Sequence, residues 1–238
     1  MATNRRLTVR NLAKTFGSKV ALRDVSFDVG DGEIVGFIGP NGAGKSTTFG
    51  CLAGLLRPDS GSMTYDGVEL GSGRGATVAL IPETPDVYPL LTVWEHLTLV
   101  ARLCNLAPEW RLQGEALLTR LGMLADRDTL GNQLSKGMRQ KTLIAAILLA
   151  KAPVLLLDEP MIGLDPLGQR QLREMLRALR VEGTAIVIST HQLEMAETLC
   201  DRVVIVKDGR TIAHGTIEEI RAQGSGTLEE VFLEITAR

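Results

Sequence analysis

The sequence predicts an α/β fold: a mostly parallel core sheet with an antiparallel β subdomain and an inserted helical subdomain. Three observations carry this. Val154-Leu155-Leu156-Leu157 and Ala185-Ile186-Val187-Ile188 are apolar at every position, so both faces of each strand need covering, as in a parallel sheet packed by helices. The chain is 45% hydrophobic but only 4% aromatic, which suits an aliphatic α/β core rather than a disordered chain. The third is a glycine-rich run, Gly39 to Thr47, between a buried-strand pattern and the opening of a helix.

Taken in order, Leu7-Thr8-Val9-Arg10 and Val25-Ser26-Phe27-Asp28-Val29 alternate, predicting antiparallel strands with one exposed face. Ile34–Ile38 reads as a buried strand and Thr48–Leu52 as the start of a helix. Met63-Thr64-Tyr65 before Asp66-Gly67 predicts a hairpin, and Gly71-Ser72-Gly73-Arg74-Gly75 a loop. Val78–Ile81 is a further buried strand, ended by Pro82. From about Thr92 to Leu149 the period becomes helical. Thr92 caps Val93–Leu103, Pro108 starts a helix to about Leu121, and Ser135 starts a third carrying Leu143, Ile144, Ile147 and Leu148. A helix over about Leu167–Arg180 ends at Glu182-Gly183, and Val203–Val206 leads into an Asp208-Gly209 hairpin. Ile217–Arg221 and Leu228–Thr236 are short helices flanking a Gly224-Ser225-Gly226 hinge. The expectation is one domain over 1–238, with the helical subdomain at roughly 84–150 and a short helical tail at roughly 214–238.

Composition removes several function classes. A net charge of −2, with basic residues scattered, gives no electrostatic case for nucleic acid. Cys51, Cys104 and Cys200 form neither a disulfide framework nor a zinc pattern, so buried free thiols in a reducing compartment are expected. No signal-peptide pattern follows Met1. The longest apolar run, Leu143–Ala150, is far short of the ~20 residues that span a bilayer. A cytosolic chain is expected, with room for docking on a membrane component.

Gly39-Pro40-Asn41-Gly42-Ala43-Gly44-Lys45-Ser46-Thr47 fits the phosphate-loop spacing of Gly, four residues, then Gly-Lys-Ser/Thr. The glycines let successive N–H groups converge at a helix N-terminus whose dipole favours anions. Lys45 is a mobile cation for the outer phosphates, and the Ser46 hydroxyl can ligate Mg²⁺. A plain Gly-rich turn does not need that pattern in that context, so the chain is expected to bind a nucleoside triphosphate. Asp158-Glu159-Pro160 ends the strand Val154–Leu157 at the sheet edge where α/β sites sit. Asp158 is placed to hold Mg²⁺ through its water shell and Glu159 to polarise an attacking water.

Leu134-Ser135-Lys136-Gly137-Met138-Arg139-Gln140 resembles the signature of ATP-binding cassette (ABC) ATPases, usually written Leu-Ser-Gly-Gly-Gln. Physically, Ser135 and the Gly137 N–H at a helix N-terminus form an anion site, although Ser135 also reads as an ordinary helix cap. The resemblance covers nearly the whole chain. Phe16 stands where the family stacks an aromatic on adenine, and Val20 where an aliphatic packs beside it; either also reads as core. Gly163-Leu164-Asp165-Pro166 matches the D-loop, and His191 the switch histidine that contacts the γ-phosphate. Departures are Glu83 in place of the Q-loop glutamine, and Lys136 and Met138 within the signature. With Leu228-Glu229-Glu230-Val231-Phe232 they resemble type-two ABC exporters, whose ATPase is a separate polypeptide.

The resemblance implies an ATP-hydrolysing, Mg²⁺-dependent subunit of a transporter, peripheral on the cytoplasmic face of the cell membrane. It further implies a head-to-tail pair with a second ATPase subunit, identical or paralogous. One subunit then supplies Gly39–Thr47, Glu83, Asp158, Glu159 and His191. Its partner supplies the signature Ser135, Lys136, Gly137 and Met138, with Asp165. Metal falls to Ser46, Glu83 and Asp158, and chemistry to Glu159, His191 and Lys45. A membrane-spanning permease subunit is the expected partner. Val87-Tyr88-Pro89-Leu90-Leu91 with Trp94 is its docking candidate, a segment that reads equally as internal packing. The rival class is a soluble ABC ATPase acting as a scaffold, as in iron–sulfur assembly. A small-molecule kinase has no use for Ser135–Gln140.

Overall fold

A computed structural model describes residues 5–71, 74–224 and 227–237. In chain order the strands are β1 (Arg5–Phe16), β2 (Lys19–Gly30), β3 (Ile34–Ile38), β4 (Ser60–Tyr65), β5 (Val68–Glu69), β6 (Val78–Ile81), β7 (Val154–Asp158), β8 (Ala185–Thr190), β9 (Arg202–Lys207) and β10 (Arg210–Thr216). The helices are α1 (Lys45–Leu52), α2 (Val93–Leu103), α3 (Trp110–Arg120), α4 (Lys136–Leu149), α5 (Pro166–Val181), α6 (Leu193–Leu199), α7 (Ile217–Arg221) and α8 (Leu228–Ala237). They fall into two compact units.

The first unit takes its described residues from Met1–Leu80, Pro153–Glu159 and Leu179–Arg238. Strand order is β5-β4-β1-β2-β10-β9-β3-β8-β7-β6. The apolar runs behave as their composition demands: β3 is flanked by β8 and β9, and β8 by β7, all parallel, and β3, β7 and β8 are buried throughout. β1 and β2 pair antiparallel and run further than their alternating cores suggested. Register shifts between Val9 and Leu12, with Asn11 left-handed at φ 49°, hide the continuation from a strict period of two. Asp66-Gly67 and Asp208-Gly209 make the expected hairpins, both pairs with positive φ.

Phe27, Phe37 and Phe49 meet at the centre of this unit, with ring centroids 5.1 and 5.7 Å apart. A second apolar cluster joins Ile38 and Ile205 to Ile217, Ile220, Leu228 and Val231, which anchors α7 and α8. α6 is a short helix that is not among those expected from the sequence. Of the glycine segments expected as loop and hinge, Ser72, Gly73, Ser225 and Gly226 lie outside the described residues.

The second unit, Ile81–Ala152 with Pro160–Ala178, holds α2, α3, α4 and most of α5. Thr92 and Glu95 close a capping box on α2: Thr92 Oγ1 accepts from the Glu95 N–H, and the Glu95 carboxylate from the Thr92 N–H. α3 begins at Trp110, not Pro108; the N–H groups of Trp110 and Arg111 bond to the Ala107 and Pro108 carbonyls in a preceding turn. α4 buries Ile144 and Leu148 as expected, while Leu143 and Ile147 are only half-buried. No described helix is long and apolar enough to cross a membrane.

The expectation of three buried thiols needs one correction. Cys51 is buried and Cys200 largely covered, but Cys104 is exposed, because it caps the solvent end of α2. Burial pushes the Cys51 thiol above its ordinary value and the Cys200 thiol up to about 12, with Asp201 adding to the latter.

Candidate functional site

The loop after β3 is shaped by close approach. A Cβ on Gly39 would stand 2.4 Å from the Val206 carbonyl oxygen, and one on Gly44 2.6 Å from Leu22 Cδ2. Gly44 also sits at φ 105° and serves as N-cap of α1 without a side-chain bond. The Ala43 N–H donates to the Pro40 carbonyl (3.1 Å), and the Gly209 N–H to the Ala43 carbonyl (3.0 Å), tying the loop to the β9–β10 hairpin. The first intrahelical bond is from the Thr48 N–H to Gly44 (2.9 Å), so the N–H groups of Lys45, Ser46 and Thr47 have no helical acceptor. They form the positive end of the α1 dipole beside the loop.

Lys45 is buried and folds back, its Nζ donating to the carbonyls of Gly39 (2.7 Å) and Pro40 (3.3 Å). A triphosphate in the loop offers the same ammonium stronger, charged acceptors. Asn41, Pro40, Gly42 and Ser46 are exposed, and Thr47 half-buried.

Asp158 ends β7 directly opposite Ser189 of β8. The Ser189 hydroxyl donates to the Asp158 carboxylate, and its oxygen accepts from the Glu159 N–H at 3.1 Å. Glu159 is left-handed at φ 46°, a conformation that strains a residue with a Cβ and turns its carboxylate off the strand direction. That carboxylate, itself buried, lies 2.8 Å from Nδ1 of His191, the residue after β8. An ionised carboxylate only accepts, so Nδ1 carries the proton and Nε2 is left for another partner. Sequence reasoning missed Ser189 as the residue that joins both acids, a role set by partners 30 and 31 residues away in the chain.

Phe16 ends β1 and Val20 lies near the start of β2, on either side of the turn, and they are 45% and 42% exposed, which sets aside the core reading of both. The hairpin leads straight to Ala21 and Leu22, the residues that crowd Gly44. The phosphate loop, Phe16, Val20, Asp158, Glu159 and His191 therefore all belong to the first unit.

The second unit carries the other residues. Ser135 is the N-cap of α4, its Oγ accepting the Met138 N–H at 3.3 Å, with Lys136, Gly137 and Met138 in the first turn. Gly137 admits no side chain, because a Cβ would stand 2.9 Å from the Gly163 carbonyl oxygen. The Lys136 stem lies along Gly163. Asp165 caps α5 by accepting the Gly168 N–H (2.8 Å), with Lys141 Nζ 4.0 Å away. Glu83 is exposed in the bend after β6. Val87 is buried, and Trp94, half-buried, packs on Trp110 (5.1 Å) with the Arg127 guanidinium over its ring (4.3 Å). Tyr88 and Leu90 are 61% and 78% exposed.

Among the described residues no three His, Cys, Asp or Glu side chains converge on a metal position. The Ser46 hydroxyl and Asp158 carboxylate are hard oxygen donors of the kind Mg²⁺ takes when phosphates and waters complete its shell.

Comparison with known proteins identifies the family. The family model described as ABC transporter matches residues 22–162. The chain is 36% identical over 223 residues to the lipopolysaccharide export system ATP-binding protein LptB of Haemophilus influenzae, covering 90% of this chain and 92% of that one. It is 38% identical over 210 residues to the Nod factor export ATP-binding protein I of Burkholderia orbicola, covering 87% and 69%. A solved ATP-binding subunit of an ABC transporter superposes with a TM-score of 0.92 at 37% identity, covering 97% of this chain and 99% of that one. The chain belongs to the ABC transporter family and is one of its ATP-binding, ATP-hydrolysing subunits.

Proposed function

We propose that the chain powers export through a membrane-spanning permease, working as a single ATPase domain that pairs head-to-tail on the cytoplasmic face of the membrane. The observation that carries the catalytic half is the Glu159–His191 contact at 2.8 Å, at the ends of adjacent strands. Glu159 orients and deprotonates water, Lys45 and the α1 N-terminus draw charge from the γ-phosphate, and His191 senses that phosphate through Nε2. Phe16 and Val20 offer an exposed apolar face to adenine. Ser46 and Asp158 would hold Mg²⁺, which would neutralise phosphate charge. Ser135, Lys136, Gly137 and Met138 grip the γ-phosphate of the partner subunit's ATP, and Asp165 lies at the dimer interface. ATP bridges the pair, and hydrolysis removes the bridge.

Export is favoured over a scaffold role by relatives whose names record export of lipopolysaccharide and of Nod factor. Tyr88 and Leu90 form the permease-docking surface.

The dimer reading is tested at Ser135. Aspartate caps a helix as well as serine does, but puts a carboxylate against the incoming phosphate. In a Glu159→Gln background, light scattering with ATP should show a dimer, and adding Ser135→Asp should return a monomer of unchanged melting temperature. A dimer that survives Ser135→Asp contradicts the trans contact.

A further inference from the structure

The segment that carries Tyr88 and Leu90 is held from two sides within the second unit. On one side it is stitched to the chain leading into α4: the Gly131 N–H donates to the Leu91 carbonyl (2.8 Å) and the Asn132 N–H to the Pro89 carbonyl (3.0 Å). Gly131 has to be glycine there, since a Cβ would stand 2.3 Å from the Tyr88 carbonyl oxygen. On the other side the anchor is one side chain, His96 of α2. Its Nε2 lies 2.9 Å from the Tyr88 backbone nitrogen and its Nδ1 2.7 Å from the Thr92 carbonyl oxygen. The Tyr88 ring also stacks on the imidazole, with centroids 6.0 Å apart and planes 30° apart.

These partners settle the proton. A backbone N–H can only donate, so Nε2 is the acceptor; a carbonyl can only accept, so Nδ1 carries the hydrogen. His96 is therefore a neutral imidazole in one tautomer, using both nitrogens, and is only 7% exposed. A second proton would place N–H against N–H at Tyr88 and leave a donor unpaired where water has little access. Glu95 carries the neighbouring charge and interacts electrostatically with the imidazole; Asp86 precedes the loop, and Arg127, paired with Asp128, lies in the segment bonded to the N-terminus of α2. Glu95, beside it on α2, is engaged by Thr92 in the capping box, and Tyr88 is the titratable side chain on the loop. The buried residues of α3 and α4 are all uncharged.

We propose that His96 is a positioning residue for the docking surface, holding the Val87–Tyr88 end of the loop only while its imidazole is neutral. Uptake of a proton releases Tyr88, while the Pro89–Leu91 end stays on its backbone ladder. Docking of the permease then weakens in acid without loss of the fold. This rests on the reading that Tyr88 and Leu90 meet the membrane partner.

The test needs no identified partner. Amide exchange of the full-length chain is followed residue by residue between pH 7.5 and 5.5 and corrected for intrinsic rates. Protection at Tyr88 should fall by at least about fivefold towards the acid end, the cost of unpairing one buried N–H, while Gly131 and Asn132 hold theirs. In His96→Gln, whose amide offers one donor and one acceptor without titrating, Tyr88 protection should not change over that range. Tyr88 protection that is flat in the wild type, or that falls equally in His96→Gln, overturns the proposal. The docking reading fails separately: if Tyr88→Glu leaves association with the native membrane fraction unchanged, that surface is not the contact, whatever His96 does.

Discussion

His191 Nδ1 stands 2.8 Å from a Glu159 carboxylate oxygen, and the two residues follow adjacent parallel strands, β7 and β8. The buried acid fixes the tautomer of a half-exposed imidazole, so His191 presents Nε2 outward. The same acid follows its strand with a left-handed backbone, at φ 46°.

His191→Ala should leave nucleotide binding by the phosphate loop intact, because none of that loop's hydrogen bonds involves the imidazole. Turnover should fall by about 10²-fold or more, the usual contribution of a positioned acid–base partner. Fluorescent-nucleotide titration and a phosphate-release assay separate the two quantities.

Gly39 and Gly42 are glycines for different reasons. Gly39→Ala drives a Cβ into a backbone oxygen that cannot yield, and should cost about 2 kcal/mol or more together with ATP binding. Gly42 has open space around it and only its φ of 83° to satisfy, so Gly42→Ala should cost about 1 kcal/mol and still fold. Urea denaturation measures both.

The capping box on α2 should be visible in acid. Hydrogen bonds from Thr92 hold the Glu95 carboxyl below the usual carboxylate range. A depressed carboxyl contributes stability that is complete above its unfolded value of about 4.3 and is lost as pH falls through the lower folded value. The gap in urea midpoint between the wild type and Glu95→Gln should thus be constant above pH 5 and close below pH 4. A gap that widens in acid contradicts the assignment.

Thiol reactivity should follow burial. Cys104 should react with a maleimide in the native protein, while Cys51 and Cys200, covered and protonated, should react only after unfolding. Mass spectrometry of the labelled peptides reads this directly.

What could be read from the chain alone was whatever local chemistry determines. β6 and α2 match the expected bounds because Pro82 and Thr92 punctuate them, and the phosphate loop was recognisable because its glycine spacing is a backbone requirement. What escaped depends on partners distant in sequence. Ser189 serves two acids thirty residues away, and no local pattern announces that. A positive φ at Glu159, where glycine or asparagine is the usual occupant, is imposed by its surroundings. Trp94 reads as surface or core equally well from the sequence, because its contacts with Trp110 and Arg127 come from outside its own helix.

The central claim is that Glu159 activates the water that attacks ATP held by the Lys45 loop. Single-turnover hydrolysis by Glu159→Gln tests it most directly, since the amide keeps the shape and the contact with His191 but cannot take a proton. The account predicts wild-type ATP affinity with hydrolysis below about 1% of the wild-type rate. Wild-type turnover in Glu159→Gln contradicts it.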